Sequence, residues 1–231
     1  SSSVGGFNLF DPLGALEVFA ASHSLEFGAL VGALTILVIY GIIRARAFCG
    51  WICPVNFIGE GVDALRRKVG IAVPERTVPR RTKIAIAAVV ILLSALVGYP
   101  VFESISPIAA INKGLVFGAF AGIGTFLAIV VAEFFFCRRI WCRSLCPLGG
   151  LYQVVGKVGQ VNVAIDHNAC IHCNKCKEAC LADPVILDPA LAGEDTIVRA
   201  GDCMVCGACV DSCPTQALRF RIGRKLNTTH K

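Results

Sequence analysis

Charge is what this chain has least of. Asp, Glu, Lys and Arg make up only 16% of its 231 residues, while 55% are hydrophobic and the mean hydropathy is +0.70. A soluble globular domain carries about 25% charged residues, so the composition argues against an ordinary soluble enzyme and for a membrane protein. Methionine occurs once, at Met204, and no Met-rich or His-rich tract is present. That argues against a chain that hands on copper through such a tract. No pair of histidines falls inside an apolar run, His23 being the only one near them, which argues against b-type haem. Basic residues are missing altogether before Arg44, so no signal-peptide n-region is present in these residues. The net charge is +6, and its pattern suggests no nucleic-acid partner.

Cysteine, by contrast, is abundant: there are 13, an odd number, which does not suit a closed disulfide framework. Cys170, Cys173, Cys176 and Cys180 form C-x2-C-x2-C-x3-C, and Cys203, Cys206, Cys209 and Cys213 repeat it, with Pro214 following. This run holds paired [4Fe–4S] clusters in bacterial ferredoxins, the fourth cysteine of each run reaching the other cluster. Cys170, Cys173, Cys176 and Cys213 are therefore expected to hold one cluster, and Cys203, Cys206, Cys209 and Cys180 the second. Four-cysteine zinc sites or a disulfide staple are the bland alternatives, and two matched registers weigh against both. Two clusters imply electron transfer, and they require a reducing compartment.

Three uncharged runs, Phe27 to Ile43, Ile84 to Phe102 and Gly114 to Ala132, approach the roughly 20 apolar residues that cross a bilayer. The expected architecture is an α-helical membrane bundle over 1–160, followed by an α+β 2[4Fe–4S] ferredoxin-like domain over 161–231. Arg44, Arg46, Arg66, Arg67, Lys68, Arg76, Arg80, Arg81 and Lys83 crowd the loop between the first two runs. By the positive-inside rule that loop is cytoplasmic, and Arg138, Arg139 and Arg143 place the cluster domain on the same side. Within the loop, Ile58, Val62, Leu65 and Val69 fall at helical spacing. They predict a short helix lying on the membrane or packed on the cluster domain. Val161 to Ile165 and Leu218 to Ile222 alternate as half-buried strands do and are expected to pair antiparallel. The 22 residues between Cys180 and Cys203 read as a loop.

The membrane part repeats. Phe48-Cys49-x3-Cys53-Pro54 follows the first run and Trp141-Cys142-x3-Cys146-Pro147 the third. Asp11-Pro12 and Ser106-Pro107 precede them as helix starts. The second copy contains a helix with no counterpart in the first, so one more membrane helix is expected upstream of Ser1, four in all. Cys49, Cys53, Cys142 and Cys146 could form a third iron–sulfur or soft-metal site; the alternative is cysteines packing as small apolar residues. Cys137 lies outside every motif and reads as a packed thiol.

This order of helix, F-C-x3-C-P, basic loop, two helices, W-C-x3-C-P and twin cluster motifs resembles the NapH family. The wider group includes the carboxy-terminal part of NosR-type proteins and CcoG-type assembly proteins. The resemblance implies a multi-pass protein of the bacterial cytoplasmic (inner) membrane, with two cytoplasmic [4Fe–4S] clusters. It further implies that the chain takes electrons from menaquinol or ubiquinol and passes them to partner iron–sulfur or c-type cytochrome subunits of a respiratory reductase. Leu181 follows Cys180 where such runs often have proline, which puts a local turn in question rather than the ligand set. Glu133, at the end of the third run, is a candidate proton-handling catalytic residue, with simple neutralisation by Arg138 or Arg139 as the alternative. Other readings are a copper reductase or assembly factor, and an electron relay without a quinol site.

Overall fold

A computed structural model describes residues 2–4, 7–9, 11–22, 27–71, 79, 81–117, 123–135, 137–198 and 201–223. His23, Arg76 and Arg80 lie outside the described residues. The chain divides into two compact units, one of Ser1–Val38 with Ile52–Leu151 and one of Ile39–Trp51 with Tyr152–Lys231. Residues 39–51, at the end of the first apolar run, thus belong with the cysteine-rich unit.

The first unit opens with a hairpin of β1 (Ser2–Val4) and β2 (Phe7–Leu9). It continues through α1 (Pro12–Ser22) into α2 (Phe27–Ile43), whose last turn lies in the second unit. The second unit then takes α3 (Ala47–Trp51) before the chain returns with α4 (Pro54–Val69), α5 (Thr82–Val97), α6 (Val101–Ile105), α7 (Pro107–Phe117) and α8 (Ile123–Phe135). A π-helical turn, Trp141–Leu145, leads into α9 (Pro147–Val155). Asp11 and Ser106 act as the sequence suggests. The Asp11 carboxylate accepts from the Leu13 and Gly14 backbone, and the Ser106 hydroxyl from the Ala109 N–H at 3.5 Å. α1 packs on α5 and α6. There the fully buried Glu17 accepts from the Ser94 hydroxyl at 2.9 Å and the Phe102 N–H at 3.0 Å, which ties the start of α6 to α1.

The expected bundle of three transmembrane helices is not what forms: among the described residues no helix is long and apolar enough to cross a membrane. At about 1.5 Å per residue, α2 with 17 residues, α5 with 16 and α8 with 13 all fall short of the roughly 30 Å hydrocarbon core. The cause is local in the second run. Gly98, at φ 70°, caps α5 in the left-handed region. Pro100, which has no N–H to continue a helix, separates α5 from α6. In the third run the described helices are α7, to Phe117, and α8, from Ile123.

The basic loop is also used differently. α4 starts on Pro54 at its first turn and ends on Gly70 in the left-handed region. It buries Val55, Asn56, Gly59, Val62, Asp63 and Arg66, so its inward stripe is partly polar while Phe57, Leu65 and Val69 are exposed. The inward arginines and carboxylates pair. Asp63 takes the Arg138 Nε at 3.2 Å, the Arg139 Nε at 3.1 Å and the Arg66 Nη2 at 3.4 Å.

The second unit continues with β3 (Val161–Ile165), α10 (Lys175–Ala179), α11 (Asp188–Leu191), α12 (Ala208–Asp211) and β4 (Leu218–Ile222). β3 and β4 pair antiparallel from Val161 opposite Ile222 to Ile165 opposite Leu218. The stretch between Cys180 and Cys203 is more than a loop. A 3-10 turn at Pro184–Leu187 is capped by the Asp183 carboxylate. Backbone bonds Ile165 N–H to Thr196 O and Val198 N–H to Val163 O, both 2.8 Å, lay the chain along β3.

Candidate functional site

Each C-x2-C-x2-C run wraps a loop too tight for ordinary backbone. In the first, His172 (φ 51°) and Asn174 (φ 60°) flank Cys173; in the second, Val205 (φ 51°) and Gly207 (φ 87°) flank Cys206. A β-branched residue such as Val205 rarely adopts the left-handed region, at a cost of about 1–3 kcal/mol. Left-handed residues in such turns can direct neighbouring N–H groups into a concavity that suits an anion. The third cysteine of each run then starts a short helix: Cys176 lies in α10 and Cys209 in α12. These strained positions carry no signature in composition. Only the x2 spacing could have suggested them.

The two loops, with the fourth cysteine of the opposite run, line two cavities. Cys170, Cys173, Cys176 and Cys213 converge on one, walled by Ile165, Leu191 and Leu218. Cys203, Cys206, Cys209 and Cys180 converge on the other, walled by Val163, Leu187 and Val198. The structure therefore brings together the two sets expected from the spacing. The environment favours thiols that trade protons for metal. Burial pushes the Cys180 thiol up to about 11. It also raises Cys209, where the neighbouring cysteines Cys203, Cys180 and Cys206 add to the effect. A cluster's iron supplies the positive charge that such thiolates need, so the donor sets fit [4Fe–4S] groups. Among the described residues no group of three or more His, Cys, Asp or Glu is placed to hold a single metal ion.

The sites differ in exposure. At the first, Cys173 is exposed. Cys213, where burial works upward, is nonetheless held below the usual thiol range by the Thr215 hydroxyl and by the backbone N–H groups of Ala217, Thr215 and Leu218. At the second, Cys203, Met204 and Val205 are buried. Residues 39–51 brace that loop. Arg46 pairs with the Asp202 carboxylate at 3.0 Å and donates to the Asp202 carbonyl at 3.0 Å. Gln153 holds the other carboxylate oxygen at 2.8 Å, and the Trp51 indole donates to the Val205 carbonyl at 3.1 Å. A Cβ at Gly50 would stand 3.0 Å from the Met204 carbonyl and 3.4 Å from the Cys206 Cβ; a side chain there would press on the loop. Tyr40, Phe48 and Tyr152 stack beside this segment at centroid distances of 5.8 to 6.4 Å.

Both C-x3-C-P motifs break their helices at proline. Cys53 sits at the N-cap of α4 in extended backbone. Cys146 ends the π turn and precedes α9, with its sulfur accepting from the Gly149 N–H at 3.4 Å. Helix N-termini favour thiolates, a property that a helical i,i+4 cysteine pair would not supply. Cys49 lies in α3 and Cys142, buried, in the π turn. Cys137 is 2% exposed, its thiol 3.8 Å from the Arg138 carbonyl.

Glu133, 4% exposed, accepts from the Trp141 N–H, next to Cys142. Burial pushes its carboxyl up to about 7, Arg139 opposing and Asp63 reinforcing. Its Oε1 has no hydrogen-bond partner. Asp63, which the sequence reading passed over, is what gathers the arginines here; its i,i+3 spacing from Arg66 was the available signal.

Residues 25–72 and 119–165, the two stretches holding the C-x3-C-P motifs, each match a family described as a 4Fe-4S binding domain. Residues 196–219 match a second family of the same description. The chain is 35% identical to the methylamine utilization ferredoxin-type protein MauN of Methylorubrum extorquens, over 98% of this chain and 79% of that one. It is 35% identical to the ferredoxin-type protein NapH of Escherichia coli K12, over 89% of this chain and 72% of that one. It is 32% identical to the ferredoxin-type protein NapH of Haemophilus influenzae, over 92% and 75%. No solved structure matches.

Proposed function

Because the chain belongs to the family of NapH and MauN ferredoxin-type proteins, [4Fe–4S] electron-transfer proteins, we propose that it oxidises a quinol and passes the electrons on singly. The observation that carries the electron-transfer part is the convergence of four cysteines on each of two cavities. When bound, a cluster at each would store one electron, so the pair matches the two that a quinol releases. The chain's own part is to take protons. Glu133, held near neutrality with one oxygen unpartnered, is suited to accept a proton from a ring hydroxyl. Arg139 is suited to steady the resulting charge. Menaquinol or ubiquinol is the substrate class, and partner iron–sulfur or c-type cytochrome subunits are the acceptors.

Lipid contact is part of the same reading. Phe27, Leu34, Ile42, Leu92, Leu96 and Leu127 are each at least 48% exposed, more apolar surface than water tolerates on a monomer. We place the protein at the bacterial cytoplasmic membrane, with its cluster unit in the cytoplasm.

Iron analysis counts the sites. About eight irons per chain is expected from the two cavities, and about twelve if Cys49, Cys53, Cys142 and Cys146 hold a third cluster. The functional test is mixing the oxidised, iron-loaded chain with a menaquinol or ubiquinol analogue and following cluster reduction by EPR. Rapid reduction, blocked by a quinone-site inhibitor, is expected. Clusters that stay oxidised would leave a relay or a Cu(II) reductase, separable by adding Cu(II) to the reduced chain. In the same assay Glu133→Gln should slow quinol-driven reduction on the order of 100-fold. It should also abolish the limb of the pH profile near 7 that proton acceptance by Glu133 predicts. Reduction by dithionite should be unchanged. An unaltered pH profile would remove Glu133 from the mechanism.

A further inference from the structure

Charge is segregated along the cysteine-rich unit. Between Asp166 and Glu178, and from Ser212 to the end, the chain contains no Asp or Glu. Those are the stretches that carry Cys170, Cys173, Cys176 and Cys213, the lining of the first cavity. Every acidic residue after Asp166 falls between Glu178 and Asp211, the stretch that carries the second cavity's cysteines, and Arg199 is the one basic residue there. The two cavities also differ at their rims. The first exposes Cys173, His172, Asn174 and Lys175, with Ile171 62% exposed, whereas Cys203, Met204 and Val205 at the second are buried. Of the acidic groups around this first rim, Glu178 lies three residues after Lys175 on α10 and already has an interaction of its own. Asp166 accepts from the Asn168 N–H at 3.0 Å, and Asp188 pairs with Lys177. Lys175 opens α10, one residue before Cys176.

An electron leaves a protein most readily where the donor lies nearest to solvent, and complementary charge raises the encounter rate by factors of about 10 to 1,000. We propose that the rim formed by Ile171, His172, Cys173 and Lys175 is the docking face for an acidic one-electron carrier protein. Ile171 supplies the apolar centre of the contact and Lys175 the charge at its edge. One electron crosses per encounter: the chain is oxidised by one and the carrier reduced by one, with no bond made or broken. The proposal rests on the reading that the first cavity holds a cluster.

The test uses the full chain, iron-loaded and reduced, with cytochrome b5 as a small acidic haem probe and cytochrome c as its basic counterpart, followed by stopped-flow absorbance. The second-order rate for cytochrome b5 should fall about tenfold as ionic strength rises from about 0.02 to 0.3 M. Lys175→Glu should lower it about tenfold at low salt and Lys175→Gln by less, both with the parent's EPR spectrum and iron content. Cytochrome c should react more slowly at low salt and speed up as salt is added. A cytochrome b5 rate indifferent to salt and to both variants, in a chain that shows its cluster signals, overturns the docking face alone. A chain without iron or cluster signals overturns the cluster reading and the docking face with it.

Discussion

Replacing Asp63 with alanine is expected to destabilise the protein by about 3–5 kcal/mol, the cost of removing one partner from a buried ion pair. Asp63 is 4% exposed and Arg139 1% exposed, and the carboxylate meets Arg66, Arg138 and Arg139 within 3.4 Å. Asn56 also receives Arg139, through its carbonyl at 3.1 Å and through its side-chain oxygen. The Asn56 acceptors are neutral, and the other carboxyl facing Arg139 and Arg66, Glu133, is itself pushed up to about 7 by burial, so alanine at 63 leaves the three buried guanidinium groups short of negative charge. The pH dependence has a definite sign. Burial alone would raise the Asp63 carboxyl, but Arg138 and then Arg139 overrule it and hold it below the ordinary range. A depressed carboxyl contributes stability above its unfolded value, about pH 4, and loses that contribution as pH falls through the folded value. Denaturant melts of the two proteins should therefore differ most at neutral pH and converge in acid. A difference under about 1 kcal/mol would mean the cluster behaves as surface pairs do. Removing Asp63 should also lower the Glu133 carboxyl, because Asp63 is one of the charges that raise it.

What was legible in the sequence was whatever depends on local spacing. The strands Val161–Ile165 and Leu218–Ile222 form and pair antiparallel as their pattern suggests, although burial does not alternate along them: Asn162 to Ile165 are all buried, and Phe220 and Ile222 are exposed. The Asp11 and Ser106 caps sit at helix starts because their effects act within one turn. The membrane runs were misread because composition reports apolarity and not continuity. Ile84 to Phe102 has no charge, yet Gly98 and Pro100 end its helix. What the spacing does not show is where the charges of the basic residues go, because pairing is a tertiary property. Arg44 is 1% exposed and donates to the Val198 carbonyl at 3.1 Å, Arg46 is bound to Asp202, and Arg66 and Arg139 are bound to Asp63. No periodicity links Arg46 to Asp202, which lie 156 positions apart.

That distant pair supports the second large prediction. Arg46 and Asp202 are 1% and 2% exposed at their side chains, and Asp202 directly precedes Cys203, so the pair fixes where the second cysteine loop begins. Asp202→Ala is expected to cost about 3–5 kcal/mol and to cut iron by about four atoms per chain. The first site should persist, because none of the residues lining it belongs to this pair. Arg46→Met should do comparable damage by stranding the carboxylate instead. Joining Arg46→Met with Asp202→Leu should recover part of the lost stability, since apolar groups of similar size can replace a buried pair without leaving a lone charge. Melts of the four proteins give the coupling directly. If the double variant is as unstable as the sum of the singles, the two residues do not act as a pair. If each single variant keeps its full iron, the brace is not what holds the second site in shape.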